Sequence, residues 1–395
     1  MDVAALRAIT PGCKHRNHLN NAGAALMSQP TIEAMLRQLR AEAEIGGYEA
    51  AGAAQEQIDD AYAALAELLG GRPGEIALFD NATHAWQAAF YSLRLGPGDR
   101  ILTSRSEYGS NVLAYLQVAR RTGAEVVVVP NDEYGQVDTV ALAGLIDDRT
   151  RLVGLSHVPT SGGLVNPAAE VGRVARAAGV PYLLDATQSA GQFPVDVRAI
   201  GCDMLCGTGR KFLRGPRGTG FLWVRDSFLD NLDPHVAEIR SAEWDGARGF
   251  TWVPGARRFE TWENSYVNTI GLAVAVRQAL DLGLEEIGER TVELGARMRG
   301  LLDDIPGVTT YDLGEVRCAI VTAKVQGVPA DEVVTRLAAA GVNVTATEPL
   351  DNQFDNEFRD VHPMVRFSPH YYNTVNELEN AAALVAAMVR QPDVK

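Results

Sequence analysis

Short, uniformly apolar segments alternate with helical patterns through the first half of the chain. Strands that are apolar on both faces are typical of parallel sheets, because helices cover such sheets on both sides. The alternation therefore predicts an α/β fold with a parallel or mostly parallel sheet. The predicted strands are 76–79, 100–103, 125–129, 152–155, 182–184 and 218–224.

The pattern changes near Asn268. A long amphipathic helix is predicted there, followed by short strands such as 319–323. This change predicts a second, smaller α+β domain in the C-terminal third. We expect an N-terminal segment, 1–20, packed near the small domain, a large cofactor-binding domain, 21–258, and the small domain, 259–395. The apolar positions that recur at helical spacing are Leu272, Val276, Leu280, Leu284 and Ile287.

Composition excludes several classes of function. The chain has 395 residues, 46% of them hydrophobic and 22% charged, which is ordinary for a globular protein with a large core. A net charge of −14 repels polyanions, so nucleic acid is not an expected partner. The N-terminus lacks the pattern of a secretory signal, and no window approaches the ~20 apolar residues of a membrane span. We therefore expect a cytoplasmic protein without a membrane partner.

Cysteine usage predicts neither disulfides nor a metal site. The four cysteines, Cys13, Cys202, Cys206 and Cys318, are too few for a disulfide framework in a chain of this length. Cys202 and Cys206 form the one close pair, and no neighbouring histidine or cysteine completes a zinc-binding set.

Polar residues follow the predicted strands. In an open α/β sheet, ligands bind at the carboxyl ends of the strands, so these residues are candidates for a binding site. Each also has a simple structural interpretation, such as a helix cap for Thr83 or Asp185 and a solvated turn for Lys211. The candidates are Thr83 and His84 at a helix start, Tyr108, the segment 156–163 with Thr160, then Asp185, Gln188 and Lys211.

Asp185 and Lys211 together suggest the chemistry. A lysine amine can form a Schiff base with an aldehyde cofactor, and a carboxylate can hold the cofactor's ring nitrogen protonated. Pyridoxal phosphate is therefore the predicted cofactor. The glycines near Lys211 do not have the spacing of a nucleoside-triphosphate loop or of a dinucleotide fingerprint, and no G-x-S-x-G nucleophile motif is present.

With these residues in place, the chain resembles the class V aminotransferase family of fold-type I pyridoxal-phosphate enzymes, alongside cysteine desulfurases, isopenicillin N epimerase and kynureninase. The resemblance implies a seven-stranded, mostly parallel sheet in the large domain and a smaller α+β domain at the C-terminus. The matching segments span nearly the whole chain: 19–23, 157–158, 165–167, 185–211 with 194–197 inside it, 365–368 and 372–374.

The resemblance also assigns contacts to the cofactor. It implies that Lys211 forms the Schiff base, Asp185 holds the ring nitrogen, Gln188 contacts the phenolic oxygen and Tyr108 stacks on the ring, and we place Thr160 in the same site. The phosphate would be held by Thr83, the backbone at His84, the Thr208 hydroxyl and Arg210, which stands where relatives often have histidine.

Contacts to substrate follow from the same resemblance. Arg366 matches the arginine that binds a substrate α-carboxylate, and Asn21 is expected near the same group. Tyr48 is a candidate wall of the pocket. In relatives, a threonine of a neighbouring subunit closes the site; a homodimer is therefore implied, although Glu263 stands at that position here.

Two differences from the cysteine desulfurases narrow the expected activity. Cysteine desulfurases carry a nucleophilic cysteine on a loop before the carboxylate-binding arginine, whereas residues 343–364 contain none. Tyr108 occupies a position that holds histidine in the desulfurases, and a phenol there can also deliver a proton to a leaving group. Together with the segment 258–263, these two features resemble those of carbon–sulfur lyases. Such lyases cleave L-cysteine S-conjugates or their sulfoxides, as in ergothioneine synthesis.

The expected reaction is a β-elimination with Lys211, Asp185 and Tyr108 as catalytic residues. Lys211 removes the α-proton, the ring kept protonated by Asp185 takes up the negative charge, and the sulfur group leaves with Tyr108 as its candidate proton donor. The remaining aminoacrylate decays to pyruvate and ammonia. We expect these steps to belong to the biosynthesis of a sulfur-containing metabolite.

Other activities remain open at this stage. Epimerisation, transamination and decarboxylation-dependent oxidation would use the same Lys211 and Arg366, and a protein that binds the cofactor without catalysis is an alternative of another class. A cluster of aromatic residues is open to two interpretations, a pocket for a bulky or cationic S-substituent or packing between subunits. Its members are Trp244, Phe250, Trp252 and Trp262.

Overall fold

The computed structural model describes residues 1–390. Its strands are β1 (Asn17–His18), β2 (Ile76–Phe79), β3 (Arg100–Thr103), β4 (Glu125–Val128), β5 (Thr150–Ser156), β6 (Tyr182–Asp185), β7 (Met204–Thr208), β8 (Gly220–Val224), β9 (Ala242–Asp245), β10 (Gly249–Trp252), β11 (Val308–Thr310), β12 (Val321–Val325), β13 (Val342–Asn343), β14 (Thr345–Ala346) and β15 (Val365–Phe367).

Helices precede, separate and follow these strands. They are α1 (Val3–Ala8), α2 (Gln29–Ile45), α3 (Gly47–Ala53), α4 (Gln55–Leu69), α5 (Ala82–Tyr91), α6 (Gly109–Thr122), α7 (Thr139–Leu145), α8 (Ala168–Ala178), α9 (Val197–Ile200), α10 (Tyr266–Leu282), α11 (Leu284–Asp303), α12 (Ala330–Ala339), α13 (Gln353–Arg359) and α14 (Val375–Arg390). No helix within residues 1–390 has both the length and the apolar character needed to cross a membrane.

Seven strands form the large sheet, in the order β2-β8-β7-β6-β5-β3-β4. Strand β8 runs antiparallel to both of its neighbours, and every other pairing within β7-β6-β5-β3-β4 is parallel. The prediction of an α/β fold with a mostly parallel seven-stranded sheet is therefore confirmed. Strand β7 was not among the predicted strands.

The large sheet is buried on both faces. Successive side chains of a strand point to opposite faces, and the neighbours Leu183 and Leu184 accordingly belong to two different apolar clusters. Ile101 and Leu102 on β3 divide between the clusters in the same way. Helix-covered faces explain why these strands are uniformly apolar in sequence.

The long helix predicted after Asn268 is instead two helices, α10 and α11. Gly283 separates them with a φ of 84°, a conformation that glycine adopts without the strain of a side chain. Helix α10 packs against α2 and α4, beside the large sheet, while α11 packs against α14 and β11. The division of the chain at 1–20, 21–258 and 259–395 remains a prediction.

A second sheet has the order β11-β12-β15-β14 and is antiparallel throughout. The predicted strand at 319–323 is observed as β12. The N-terminal β1 pairs in parallel with β13, next to this sheet, and the Arg7 guanidinium contacts Glu377 at 2.8 Å. The beginning of the chain therefore lies against its C-terminal part.

A buried ion pair joins the two sheets. The Arg299 Nε atom on α11 lies 2.7 Å from Asp312 Oδ2, and the two side chains are 7% and 0% exposed. The other carboxylate oxygen, Oδ1, accepts the Gly163 N–H at 3.1 Å and the Thr322 hydroxyl at 2.7 Å. Gly163 lies in the loop after β5 of the large sheet, whereas Thr322 lies on β12 of the second sheet. Thr322 is also the register partner of Arg366 on β15, so this ion pair helps to set where Arg366 stands.

Replacing Asp312 by alanine is expected to lower the free energy of unfolding by about 3–5 kcal/mol, because Arg299 would be left buried without its carboxylate. The measurement is urea denaturation. The control is Glu379→Ala, which breaks an ion pair between Glu379 and Arg297. The side chains of Arg297 and Glu379 are 54% and 46% exposed. That change is expected to cost ~0–1 kcal/mol. Equal losses in the two variants would show that the buried pair has no special part in stability.

Candidate active site

A cavity lies at the carboxyl ends of β5, β6 and β7, where an open α/β sheet binds ligands. The residues that line it are Asn81, Ala82, Thr83, Tyr108, Asn111, Ser156, Val158, Thr160, Asp185, Thr187, Gln188, Thr208, Arg210 and Lys211. Most of the residues predicted to bind the cofactor therefore meet in one place.

Lys211 and Asp185 face this same cavity. Asp185 is the last residue of β6, and Lys211 follows β7 in the turn that leads to β8. Burial, together with the nearby cations Arg210 and Arg366, lowers the pKa of the Lys211 amine from its ordinary 10.5 to about 7. A large fraction of the amine is therefore unprotonated at neutral pH, as a nucleophile requires.

The Asp185 carboxylate is held by two donors. Its Oδ1 atom accepts the Thr187 N–H at 2.9 Å, and Oδ2 accepts an amide hydrogen from Asn111 Nδ2 at 3.0 Å. Cys206 is the register partner of Asp185 on the neighbouring strand β7, and burial together with this carboxylate raises the pKa of its thiol. The two donors fix the orientation of the carboxylate that would pair with a protonated ring nitrogen.

Thr160 connects Gln188 to Arg366. The Thr160 hydroxyl oxygen accepts from Gln188 Nε2 at 3.2 Å and from Arg366 Nη1 at 2.8 Å, and the Thr160 carbonyl accepts from the same Nη1 at 2.8 Å. Arg366 Nη2 donates to Asn20 Oδ1 at 3.3 Å. Burial lowers the pKa of the Arg366 guanidinium to about 10. A guanidinium that is buried without a carboxylate partner is suited to binding an anion.

The phosphate end of the predicted site is formed by Thr83, Thr208 and Arg210. They lie near the N-terminus of α5, whose positive dipole end suits an anion. The Thr208 hydroxyl donates to the Thr219 carbonyl at 2.8 Å. Burial and the nearby Arg217 lower the pKa of Arg210, whose guanidinium donates to the Gly23 carbonyl.

His84 stands at the start of α5, and the part of its backbone in phosphate binding remains a prediction. Its backbone N–H, which we expected to bind phosphate, donates to the Asn81 side chain at 2.8 Å, because Asn81 is the N-cap of α5. Its ring pairs with Asp80 at 2.7 Å and is exposed rather than turned into the cavity. Asn81 and Thr83, which both line the cavity, stand at this end of the site instead.

Asn21 and Tyr48 also lie elsewhere than expected. The Asn21 amide is fully buried; its Nδ2 donates to the Ser368 carbonyl at 2.7 Å and its Oδ1 accepts from the Tyr372 hydroxyl. Its neighbour Asn20 makes the contact with Arg366. Tyr48 is 71% exposed and lines a separate groove with Trp262 and Glu263.

The remaining aromatic residues lie on a hairpin. Strands β9 and β10 form a two-stranded antiparallel ribbon, in which Trp244 and Phe250 are directly opposite each other. Trp244 is 80% exposed and Phe250 is 52% exposed. Trp252 ends β10, and its ring packs edge-on against that of Phe250. In the described chain these side chains do not line the cavity.

Sequence reasoning did not single out Asn20, Glu107 or Asn111, and it included Ser156 only as part of the segment 156–163. Asn111 and Ser156 line the cavity, and Glu107 lies behind them with 1% of its surface exposed. The available signal was position, since Glu107 and Asn111 follow β3, and Ser156 ends β5. A hydrogen bond between such residues cannot be read from their spacing.

The residues of the cavity fit pyridoxal phosphate. The guanidinium groups of Arg210 and Arg366 lie near Lys211 and can attract an anionic aldehyde, while the Asp185 carboxylate is available to its ring nitrogen. Within residues 1–390, three buried polar atoms here have no hydrogen-bond partner: Gln188 Oε1, Thr187 Oγ1 and Arg366 Nε. Buried polar atoms are normally paired, so these three indicate ligand-binding positions.

Comparison with known proteins agrees with this chemistry. The family model of aminotransferase class-V matches residues 17–381. A probable cysteine desulfurase of Xylella fastidiosa (strain 9a5c) is 32% identical over 343 residues, which are 85% of this chain and 80% of the relative.

Solved structures of similar fold cover nearly the whole chain. The cysteine desulfurase CsdA from Escherichia coli superimposes with a TM-score of 0.90 at 24% identity, covering 99% of both chains. The cystine C–S lyase C-DES, solved with its product cysteine persulfide, has a TM-score of 0.85 at 25% identity and covers 95% of this chain and 99% of its own. The predicted cofactor is confirmed, and the chain belongs to the aminotransferase class-V family of pyridoxal-phosphate enzymes.

Proposed function

We propose that this enzyme cleaves the C–S bond of an L-cysteine S-conjugate, or of its sulfoxide, by β-elimination, with release of pyruvate and ammonia. The observation that carries the proposal is the lack of a cysteine from residues 343–364, together with a tyrosine at position 108 in the cavity. Relatives named cysteine desulfurases and a neighbour named a cystine C–S lyase support C–S chemistry on a cysteine-derived substrate.

The cysteines of this chain support elimination rather than sulfur transfer. Sulfur transfer to the protein needs a thiolate that can reach the substrate. Cys202, Cys206 and Cys318 are buried, and burial raises the pKa of each thiol. Cys13 lies in the N-terminal segment, and burial raises the pKa of its thiol as well.

A short helical segment stands where the desulfurases carry their cysteine. Residues Pro349–Asp351 form a single 3₁₀ turn, and α13 follows. Arg359 pairs with the buried Asp355 and donates to the Tyr311 carbonyl at 3.1 Å. Because Tyr311 directly follows β11, this contact anchors the segment beside the second sheet. The Asp351 carboxylate raises the pKa of Arg366 and Lys211, so the segment lies close to the cavity.

The proposed roles follow from the contacts. Arg366 binds the substrate α-carboxylate, for which its unpaired Nε atom and its position on β15 are suited. Bound pyridoxal phosphate supplies an electron-accepting ring that stabilises negative charge on the substrate α-carbon. Lys211 Nζ accepts the α-proton, since a pKa of about 7 lets the amine act as a base at neutral pH. The Cβ–S bond then breaks, and the Tyr108 hydroxyl protonates the departing sulfur.

A homodimer is part of the proposal. A two-stranded ribbon that exposes Trp244 and Phe250 is marginally stable alone, and exposed aromatic patches mark interaction surfaces. The groove with Tyr48, Trp262 and Glu263 gives a second surface on which a neighbouring subunit could complete the site.

The pH dependence of aldehyde binding tests the state of Lys211. Addition of pyridoxal phosphate to the apo-protein needs the unprotonated amine, so the initial rate of adduct formation is expected to rise with pH, reach half its plateau near pH 7, and level off above ~8. Borohydride trapping followed by peptide mapping measures the adduct at Lys211. The Lys211→Ala variant is the control and should give no adduct in this peptide. A midpoint near the ordinary value of 10.5 would contradict a depressed pKa.

A product assay tests the reaction. The holoenzyme with a panel of L-cysteine S-conjugates and sulfoxides is expected to release pyruvate and the sulfur product in equal amounts, and Lys211→Ala should release neither. Exchange of the α-proton without pyruvate would instead indicate an epimerase, and dependence on a keto-acid acceptor a transaminase. Formation of alanine and a protein persulfide from L-cysteine would indicate a desulfurase and overturn the proposal.

The Tyr108→Phe variant tests the proposed acid. Phenylalanine keeps the ring but removes the proton, so turnover is expected to fall by about 10²–10⁴-fold on an alkyl thiol leaving group. On an aryl thiol with electron-withdrawing substituents, which leaves without protonation, the loss is expected to be much smaller. Equal rates for wild type and variant on both substrates would restrict Tyr108 to stacking.

A further inference from the structure

A second carboxyl group lies directly behind Asp185. Glu107 is 1% exposed, and its Oε1 atom accepts the Tyr108 backbone N–H at 2.8 Å, the Asn111 amide at 3.0 Å and the Ser156 hydroxyl. Its Oε2 atom accepts the Thr103 hydroxyl at 3.1 Å. All four donors are neutral groups, so this carboxyl is buried without a cation among its hydrogen-bond donors.

Two of these donors lead to the cavity. Asn111 Nδ2 lies 3.0 Å from Glu107 Oε1 and 3.0 Å from Asp185 Oδ2, so a single amide NH₂ group can donate one hydrogen to each carboxyl. Tyr108 is the N-cap of α6, and its side chain lines the cavity. One oxygen atom of Glu107 therefore fixes the partner of Asp185 and the backbone of Tyr108 together.

The arrangement is unfavourable for stability. Burying an acid without a cation costs free energy, and burial together with the nearby Asp185 raises the pKa of Glu107. Local features that disfavour folding are expected at functional sites, where they are offset elsewhere in the structure. If the side chain at position 107 only filled space, an apolar side chain of similar size would serve without this cost.

We propose that Glu107 is a positioning residue for the cofactor. Through Asn111 it orients the Asp185 carboxylate toward the ring nitrogen, and through the Tyr108 N–H it holds the stacking ring at the start of α6. The inference rests on the proposed roles of Asp185 and Tyr108. It does not depend on which C–S bond the enzyme cleaves, because it concerns cofactor binding.

Glutamine and leucine at position 107 distinguish a positioning role of Glu107 from a role in packing alone. Glu107→Gln keeps an oxygen that accepts from Tyr108, Asn111 and Ser156, and its NH₂ group can donate to the Thr103 hydroxyl oxygen. Glu107→Leu keeps the approximate volume and removes every acceptor. Both are made in the full-length chain, stripped of cofactor and titrated with pyridoxal phosphate.

The leucine variant is expected to raise the dissociation constant for pyridoxal phosphate by roughly 10–100-fold, the range found when outer partners of metal ligands are removed. Its bound cofactor is expected to show a shifted absorption band and a shifted pH midpoint of that band, because Asp185 no longer faces the ring nitrogen in a fixed orientation. The glutamine variant is expected to stay within about threefold of wild type in affinity, with the wild-type absorption band.

Glu75 provides a control outside the cavity. It is a buried carboxyl that accepts from the backbone N–H groups of Arg72 and Asp226 and from Trp223 Nε1, and it also pairs with the Arg72 guanidinium at 3.2 Å. It stands just before β2, at the opposite end of that strand from Asn81. Glu75→Leu is expected to lower the free energy of unfolding without changing cofactor affinity or absorption. A change in absorption specific to Glu107→Leu is therefore not a general consequence of lost stability.

Three results would overturn the inference. One is a folded Glu107→Leu protein with wild-type affinity and absorption, and another is a Glu107→Gln variant as impaired as the leucine variant. If Glu107→Leu does not fold, Asn111→Ala takes its place, because it removes only the bridge between Glu107 and Asp185. Wild-type absorption in Asn111→Ala is the third result that would overturn the inference. The lyase assay can fail while these outcomes stand, since none of them uses turnover.

Discussion

The Lys211 amine is buried in a cavity where two arginines are its charged neighbours and Asp185 and Asp351 are the opposing carboxylates. A protonated amine in such a place is unfavourable, because burial removes its hydration and Arg210 and Arg366 repel it. The protein meets this constraint by leaving the amine largely neutral. A neutral amine reacts with an aldehyde, and the same arginines that disfavour the ammonium attract an anionic cofactor. Electrostatics and reactivity thus have a common origin in the burial of one side chain.

The fold provides the second condition, which is the meeting of groups from distant segments. Asp185 and Lys211 follow neighbouring parallel strands of the large sheet, whereas Arg366 comes from the second sheet. Thr160 connects the two, because its hydroxyl and carbonyl both accept from Arg366. The buried Arg299–Asp312 pair connects the loop of Thr160 to the strand next to Arg366. Stability of that pair is therefore relevant to the geometry of substrate binding.

The cofactor site lies beside a segment, 343–364, that contains no cysteine. The relatives are named as desulfurases, yet the segment from Asn343 to Met364 has no thiol and carries a helical turn and α13. Thr347 and His362 close the base of this segment with a hydrogen bond of 2.7 Å. The proposed elimination rests in part on this segment, because it offers no thiol to accept sulfur.

Much of the fold and the centre of the site were determined by the sequence alone. Short apolar segments identified six strands of the large sheet, because a strand covered on both faces leaves a continuous apolar signal. Asp185 and Gln188 were found because they follow such a strand, and the carboxyl ends of parallel strands meet at one edge. Lys211 follows β7, which was not predicted, and was found from the chemistry of a lysine in a glycine-rich turn. The break at Gly283 was missed, since an apolar pattern can continue across two helices.

Tertiary structure alone decided which side chains face the cavity and how they are paired. Asn20 and Asn21 are adjacent in sequence, but one contacts Arg366 and the other is held by Ser368 and Tyr372. The Thr160–Arg366 contact joins residues that are 206 positions apart, and the Asn111 bridge to Asp185 spans 74. A sequence records which groups are present; their hydrogen bonds depend on distances of about 3 Å, which only packing of the whole chain can set.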